Sequence, residues 1–245
     1  MNDHFSKQAA DYAKYRPLYP GSLFQFLSGL VLDHAKAWDC ATGSGQAARM
    51  LAGYFQEVIA TDLSQAQIEH AQAHPGVTYR VATGEKSGIE NSSVDLTTVA
   101  QAFHWLDFDR FYAELRRVSV PKGVIALWCY GLHEISPEVD AVARRYYAEI
   151  IDSYWPSEVK WVRQEYRTIP FPFEEIAAPD FYMEQDWSLE NVVGNFFSWS
   201  STQRYLSAHG KNPIEIILPD LQKAWGEPSL RKKARWKIHL RVGRL

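Results

Sequence analysis

Trp38-Asp39-Cys40-Ala41-Thr42-Gly43-Ser44-Gly45, with Asp62 nineteen residues beyond Gly43, is the stretch that decides how this chain folds. An acidic residue closes a short apolar run, and a loop of small residues follows it. The next apolar run, Glu57-Val58-Ile59-Ala60-Thr61-Asp62, ends on a second acidic residue. Small residues let backbone N–H groups come close to a ligand, and glycine enters turn conformations closed to other residues. A carboxylate at the end of the second strand is placed to hydrogen-bond ribose hydroxyls. The pattern predicts a nucleoside-binding crevice.

Outward from the loop, strands and helices alternate. Strands are expected at 37–40, 58–61, 77–81, 94–100 and 123–129, with helices at 46–54, 64–74 and 107–118 between them. Ser64 is placed to cap its helix by accepting an early backbone N–H. Two helices, 5–15 and 21–32, precede the first strand. After Tyr130 the expected order is a helix over 137–154, an irregular aromatic stretch over 155–179, a strand at 181–187, helices at 189–197 and 214–225, and a last strand at 236–242. Such alternation predicts an α/β fold, a doubly wound, mostly parallel seven-stranded Rossmann-like sheet with helices on both faces and ligands at the strands' carboxyl ends. With neither internal repeat nor long linker, residues 1–245 read as one domain. Within it, 1–130 is a cofactor-binding core, 131–235 a C-terminal lid region on the acceptor side, and 236–245 the last strand.

Composition narrows the function classes. A hydrophobic fraction of 46% with 22% charged residues is ordinary for a globular chain. The formal charge of −3 exerts no overall pull toward nucleic acid or an anionic membrane. The basic run Arg231–Lys237 reads as a solvated terminal helix or loop ahead of the last strand. Cys40 and Cys129 sit in apolar runs, as packed thiols do, and form neither a disulfide scaffold nor a zinc spacing. Asp3, Lys7 and Asp11 interrupt any leader-like apolar stretch, so the expected location is the cytoplasm. His70 and His74, four apart on an expected helix, lack a third ligand, and no metal site is expected.

Two chemistries compete for the loop. Gly43-Ser44-Gly45-Gln46-Ala47-Ala48 matches G-x-G-x-x-A, the dinucleotide fingerprint, so an NAD(P)-dependent oxidoreductase is one reading. Asp39 weighs against it, because a carboxylate just ahead of the loop repels a pyrophosphate and attracts an ammonium group. The aromatic turn Gln101-Ala102-Phe103-His104-Trp105 after the fourth strand suits a small cationic or flat ligand.

These motifs together resemble the class I S-adenosylmethionine-dependent methyltransferases. Trp38–Gly45 is similar to their first motif, with Ala41 at the first glycine. Ala60-Thr61-Asp62-Leu63-Ser64 resembles the second, and Thr83-Gly84-Glu85 stands at the adenine-contact motif with threonine in place of aspartate. Ala100–Trp105 resembles the fourth, and Pro121-Lys122-Gly123 the turn before strand five. Tyr12–Pro20, Ser198-Trp199-Ser200, Gln203-Arg204-Tyr205 and Trp225-Gly226 resemble a small-molecule branch, the trans-aconitate methyltransferase-like group. The resemblance implies S-adenosylmethionine held by Asp39, Ala41, Gly43, Gly45, Asp62, Leu63, Thr83, Gly84 and Gln101. It implies methyl transfer to a small organic acceptor, at a carboxylate or hydroxyl oxygen, with neither nucleic acid nor membrane as partner. A cofactor-binding protein without turnover is the further alternative.

Methyl transfer is an in-line displacement in which positioning supplies roughly 7–11 kcal/mol in favourable cases, so no nucleophile–base dyad is required. Tyr12, Phe103 and Trp105 are candidate aromatic neighbours of the sulfonium and, with Arg16, of the acceptor. His104 is either a general base toward a hydroxyl or amine or a packing residue. A carboxylate acceptor needs cationic anchors instead, for which Arg16, Arg144, Arg163 and Arg204 are available. Asp39 and Asp62 also have local alternatives, as a cap of the Gln46 helix and as a turn partner of Ser64.

Overall fold

Five strands line up in parallel, and the inner four are apolar runs buried on both faces, the arrangement that crossover helices create. The computed structural model describes residues 17–245. The helix expected over 5–15, with Tyr12 and Arg16, lies outside the described residues. β1 (Lys36–Cys40) pairs in parallel with β2 (Glu57–Asp62) on one side and β4 (Val94–Ala100) on the other. β3 (Val77–Val81) extends the sheet beyond β2, and β5 (Ser119–Cys129) extends it beyond β4. β8 (Lys232–Arg244) joins β5 antiparallel and pairs in turn with β6 (Glu174–Glu175) and β7 (Phe181–Trp187). The order is β3-β2-β1-β4-β5-β8-β6, with β7 on β8. The seven strands expected from the sequence are present, and β6 is an eighth within a stretch expected to be irregular.

Strand order reverses between β1 and β4, and that switch point opens a crevice at the carboxyl ends. Alternation along β1 sends Ala37 to one apolar cluster and Trp38 to the other. The first cluster joins α1 (Gly21–Ser28) and α2 (Gln46–Leu51) to the helices that follow Tyr130. The second is built on α4 (Phe108–Val118), whose Phe111, Leu115 and Val118 meet Trp38 and Ile59. Trp38 satisfies its indole N–H on Thr61 Oγ1 at 2.9 Å, so a large ring is buried without an orphaned donor.

Five further elements differ from expectation. α3 (Gln65–Glu69), capped by Ser64 as expected, ends before His70, so His70 and His74 do not share a helix face; each ring bonds a nearby carbonyl instead. The long helix expected over 137–154 is α5 (Pro137–Arg145) followed by a π turn, Tyr146–Ile150, and a 3-10 turn. The wider turn aims both tyrosines inward, Tyr146 onto Thr202 Oγ1 at 2.8 Å and Tyr147 toward the site described below. Two helices were not expected, α6 (Val159–Arg163) and α8 (Ser200–His209); α7 (Leu189–Phe197) and α9 (Ile214–Trp225) were. The basic run is strand rather than helix or loop: Lys233 and Arg235 pair with Glu184 and Lys237 with Asp180.

Among the described residues, no helix is long and apolar enough to cross a membrane, and no three His, Cys, Asp or Glu side chains gather as metal ligands.

Candidate active site

The loop after β1 is held by its own small residues and by both acids. Thr42 N–H donates to Thr61 O at 2.9 Å, and Gly45 N–H donates to Thr42 O at 3.0 Å. Asp62 bridges two loops: one carboxylate oxygen accepts Gly43 N–H and the other Ser64 N–H, both at 2.8 Å. The nineteen-residue spacing is thus a direct bond. A carboxylate has about four acceptor positions, so two backbone bonds do not exhaust it.

Ala41 and Gly45 both take left-handed backbone, with φ of +54° and +83°. For a non-glycine residue that conformation costs about 1–2 kcal/mol. At Gly45 a Cβ would also run into the Tyr79 ring. The two positions therefore predict opposite effects within one loop. Ala41→Gly is expected to raise the unfolding free energy by up to about 1 kcal/mol, and Gly45→Ala to lower it by about 1–3 kcal/mol. Urea denaturation reads both; the same sign for the two variants would contradict this geometry.

A cleft of about 570 Å³ opens at the switch point. Of the residues singled out in the sequence, Ala41, Gly43, Asp62, Leu63, Thr83, Gly84, Gln101 and Trp105 line it. Asp39, Gly45, Phe103 and His104 do not. Asp39 is fully buried beneath the loop, accepting Thr98 Oγ1–H at 2.7 Å and Thr42 Oγ1–H at 2.5 Å. Burial pushes its pKa up to about 6. Its position is that of a brace under Thr42, set back from any ligand in the cleft. Phe103 is likewise buried, stacked on Phe108 at 4.8 Å.

Tyr19, Gln67, Leu106, Asp107, Arg110 and Tyr130 line the cleft without having been singled out. Gln67 carries a signal, since it lies three residues after the Ser64 cap and so on the cleft side of α3. Tyr130 carries another, because it directly follows β5, which lies next to the switch-point strand β4. Gln101 takes a left-handed φ of +54° and clamps that strand end: its amide accepts Tyr130 N–H at 2.8 Å and donates to Tyr130 O at 3.1 Å. Backbone strain of this kind gathers where a ligand site overrides local preference.

Gln101, Trp105 and Tyr130 also belong to a second, smaller chamber of about 100 Å³. Its other walls come from Leu132, His133, Tyr147, Trp155, Asn195, Trp199 and Trp236, nearly all beyond residue 130. His104 lies here, its Nδ1 at 2.7 Å from the Tyr166 hydroxyl. Burial pulls its pKa down to about 3, which leaves a neutral ring and a weak base.

Residues 38–127 match the methyltransferase domain family. A Dictyostelium discoideum protein described as a methyltransferase is 34% identical over 229 residues, which span 92% of this chain and 87% of that protein. The chain belongs to the class I S-adenosylmethionine-dependent methyltransferases. The structure of a type II methyltransferase from Anaeromyxobacter dehalogenans is similar at a TM-score of 0.88 and 43% identity, covering 94% of this chain and 98% of that one. A methyltransferase structure from Bacillus halodurans, at 19% identity and a TM-score of 0.51, shares the fold.

The methyltransferase uses S-adenosylmethionine, and its cleft fits that group. Gln67 Oε1 is buried without a hydrogen-bond partner among the described residues, and a Cβ on Gly43 would lie 3.9 Å from it. An acceptor left idle at the cleft wall suits a ligand rich in hydroxyl and ammonium donors.

Proposed function

We propose that this methyltransferase methylates a small organic acceptor at an oxygen atom, with the cofactor in the larger cleft and the acceptor in the adjoining chamber. The observation that carries the reading is the shared wall: Gln101, Trp105 and Tyr130 face both spaces. A methyl group passing from one to the other crosses at these residues.

Within this reading Asp62 takes the ribose hydroxyls and Gly43 and Ala41 face the methionine portion. Leu63, Thr83 and Gly84 flank the adenine, and Gln101 ties the ends of β4 and β5 together at the cofactor's edge. Asp39 acts on the cofactor through the loop it braces, and Gly45 by letting that loop turn into α2. The cofactor supplies an electrophilic methyl group on a sulfonium. Trp105 borders the place where that charge sits, an attraction worth about 0.5–2 kcal/mol for a well-placed ring. Phe103 packs in the core against Phe108, Phe111 and Tyr166, the last of which holds His104, and Tyr12 and Arg16 stay candidates for the acceptor side. His104 serves as a neutral wall of the chamber; a ring titrating near 3 is poorly matched to proton abstraction at neutral pH.

Residues 131–235 form the acceptor-side cover of a single domain. The resemblance of Ser198-Trp199-Ser200 to the trans-aconitate methyltransferase-like group supports this, since Trp199 and Ser200 line the chamber. That group's carboxylate chemistry has less support. Arg163 is engaged by Asp152 at 2.6 Å, and Arg144 and Arg204 do not line the chamber.

Incubation with S-adenosylmethionine labelled in its methyl group, against a library of hydroxyl, carboxyl and amine compounds, tests the reading by mass spectrometry. The expected product is a small O-methylated compound. Label found only in protein, nucleic acid or N-methylated products would overturn it.

A further inference from the structure

The part of the chamber wall built by the described residues is uncharged. Among the described residues that line it there is no lysine, arginine, aspartate or glutamate, and six of them are tryptophan or tyrosine. Its two histidines are held neutral by burial, His104 at about 3 and His133 at about 4. An anion entering such a space gives up its water with no cation among the described lining residues to replace it.

His133 is the anomaly. Its ring is 2% exposed, stacked on Phe196 at 5.6 Å and met edge-on by Trp187 and Trp236. Neither Nδ1 nor Nε2 has a hydrogen-bond partner among the described residues, although buried polar groups are almost always paired. A phenyl ring would fill the same aromatic nest without that cost. His133 borders a chamber that adjoins the cofactor cleft, and its neutral imidazole holds one donor and one acceptor just behind that wall, both covered until a neighbouring side chain shifts. The size is informative as well: a cavity of roughly 150 Å³ holds benzene, so about 100 Å³, sharing a wall with the cleft, holds one ring with part of it at the mouth.

We propose that the chamber selects an uncharged planar acceptor, a single hydroxyl-bearing ring, and that His133 is the residue that recognises it by hydrogen bonding. This rests on the chamber being the acceptor side of the methyltransferase. The aromatic walls supply flat contact area, and the idle imidazole supplies discrimination between molecules of one shape that differ in polarity. A site built to bond a hydroxyl disfavours the analogue without it, because the site's own polar group then stays unpaired.

Phenol, toluene and benzoate test this, bound to the full chain in saturating S-adenosylhomocysteine and followed by ligand-detected NMR. Phenol should bind at least fivefold tighter than toluene and tenfold tighter than benzoate. His133→Phe should bring phenol down to the level of toluene, raise the melting temperature, and leave S-adenosylhomocysteine affinity within twofold. His133→Gln, which keeps a donor and an acceptor, should recover part of the phenol affinity. Benzoate binding as tightly as phenol, or phenol binding unchanged in His133→Phe, would overturn the proposal; the ranking in the unaltered chain decides even if the variants do not fold. Phenol bound as expected with no O-methylated product from any compound would instead remove the acceptor reading of the chamber. O-methylated product without the phenol preference would remove this inference alone.

Discussion

Asp62→Ala is expected to weaken S-adenosylhomocysteine binding by about 100-fold or more. A hydrogen bond to a charged group contributes about 1.5–3 kcal/mol, and two ribose hydroxyls on one carboxylate make about 3–6 kcal/mol, against 1.4 kcal/mol for each tenfold in affinity. The loss has a second source. Asp62 holds Gly43 N–H and Ser64 N–H at 2.8 Å each, so alanine releases the loop after β1 and the start of α3 together. The Asp62→Asn variant is expected to fall between, because its side chain keeps one acceptor and loses the charge. Tryptophan fluorescence titration measures the affinities, and a melting curve for each variant separates a lost contact from a lost fold. An affinity within threefold of the unaltered chain would take Asp62 out of the site.

The second large effect is expected at Asp39. Its folded pKa of about 6 lies above the ordinary 3.8 because burial penalises the carboxylate more than the two threonine hydroxyls favour it. The sign follows from linkage. Between pH 4 and 6 the folded chain binds more protons at this site than the unfolded chain, so this group's contribution to stability is full below 3.8 and is lost as pH rises through 6. A shift of about two pKa units corresponds to about 3 kcal/mol. Asp39→Asn removes the buried charge and keeps polar partners for Thr42 and Thr98. It should be about 1–3 kcal/mol more stable than the unaltered chain at pH 7.5, an advantage that vanishes by pH 4. Urea denaturation across that range checks this; a difference independent of pH would show that the carboxylate bears no penalty. His104 and His133 titrate in the opposite sense and are present in both proteins, so they cancel in the comparison.

Much of the cofactor side was legible because its determinants are local or tied to strand ends. Asp39, the glycine loop and Asp62 are linked by register: a strand of five or six residues, a helix and a second strand place Gly43 beside the Asp62 carboxylate. What the residue types cannot convey is depth. Asp39 and Asp62 look equivalent in the sequence, yet one lies under the loop and the other faces the cleft, because Thr98 of β4 meets Asp39 in register from the far side. His104 and Trp105 are adjacent, yet His104 meets only the chamber while Trp105 borders both spaces, because the 3-10 turn rotates neighbouring side chains apart.

The chamber was less legible because it is assembled from distant segments. Trp236 had a usable signal: Ala234, Trp236 and Ile238 are buried while Lys233, Arg235 and Lys237 are not, a period-two alternation that marks β8 from Lys232 onward. The basic residues masked it. His133 carried no signal at all, since one histidine after a strand reads the same whether it is exposed, paired or alone in an aromatic nest. The π turn at Tyr146–Ile150 was equally hidden, its residues being compatible with a continuous helix.

In this reading the cleft at the carboxyl ends of β1, β2 and β4 holds the methyl donor. Isothermal titration of the full chain with S-adenosylhomocysteine tests it most directly. One molecule bound per chain, with NAD and NADP giving no heat under the same conditions, is the predicted result; no heat with S-adenosylhomocysteine, or saturable binding of a nicotinamide dinucleotide in its place, would contradict it.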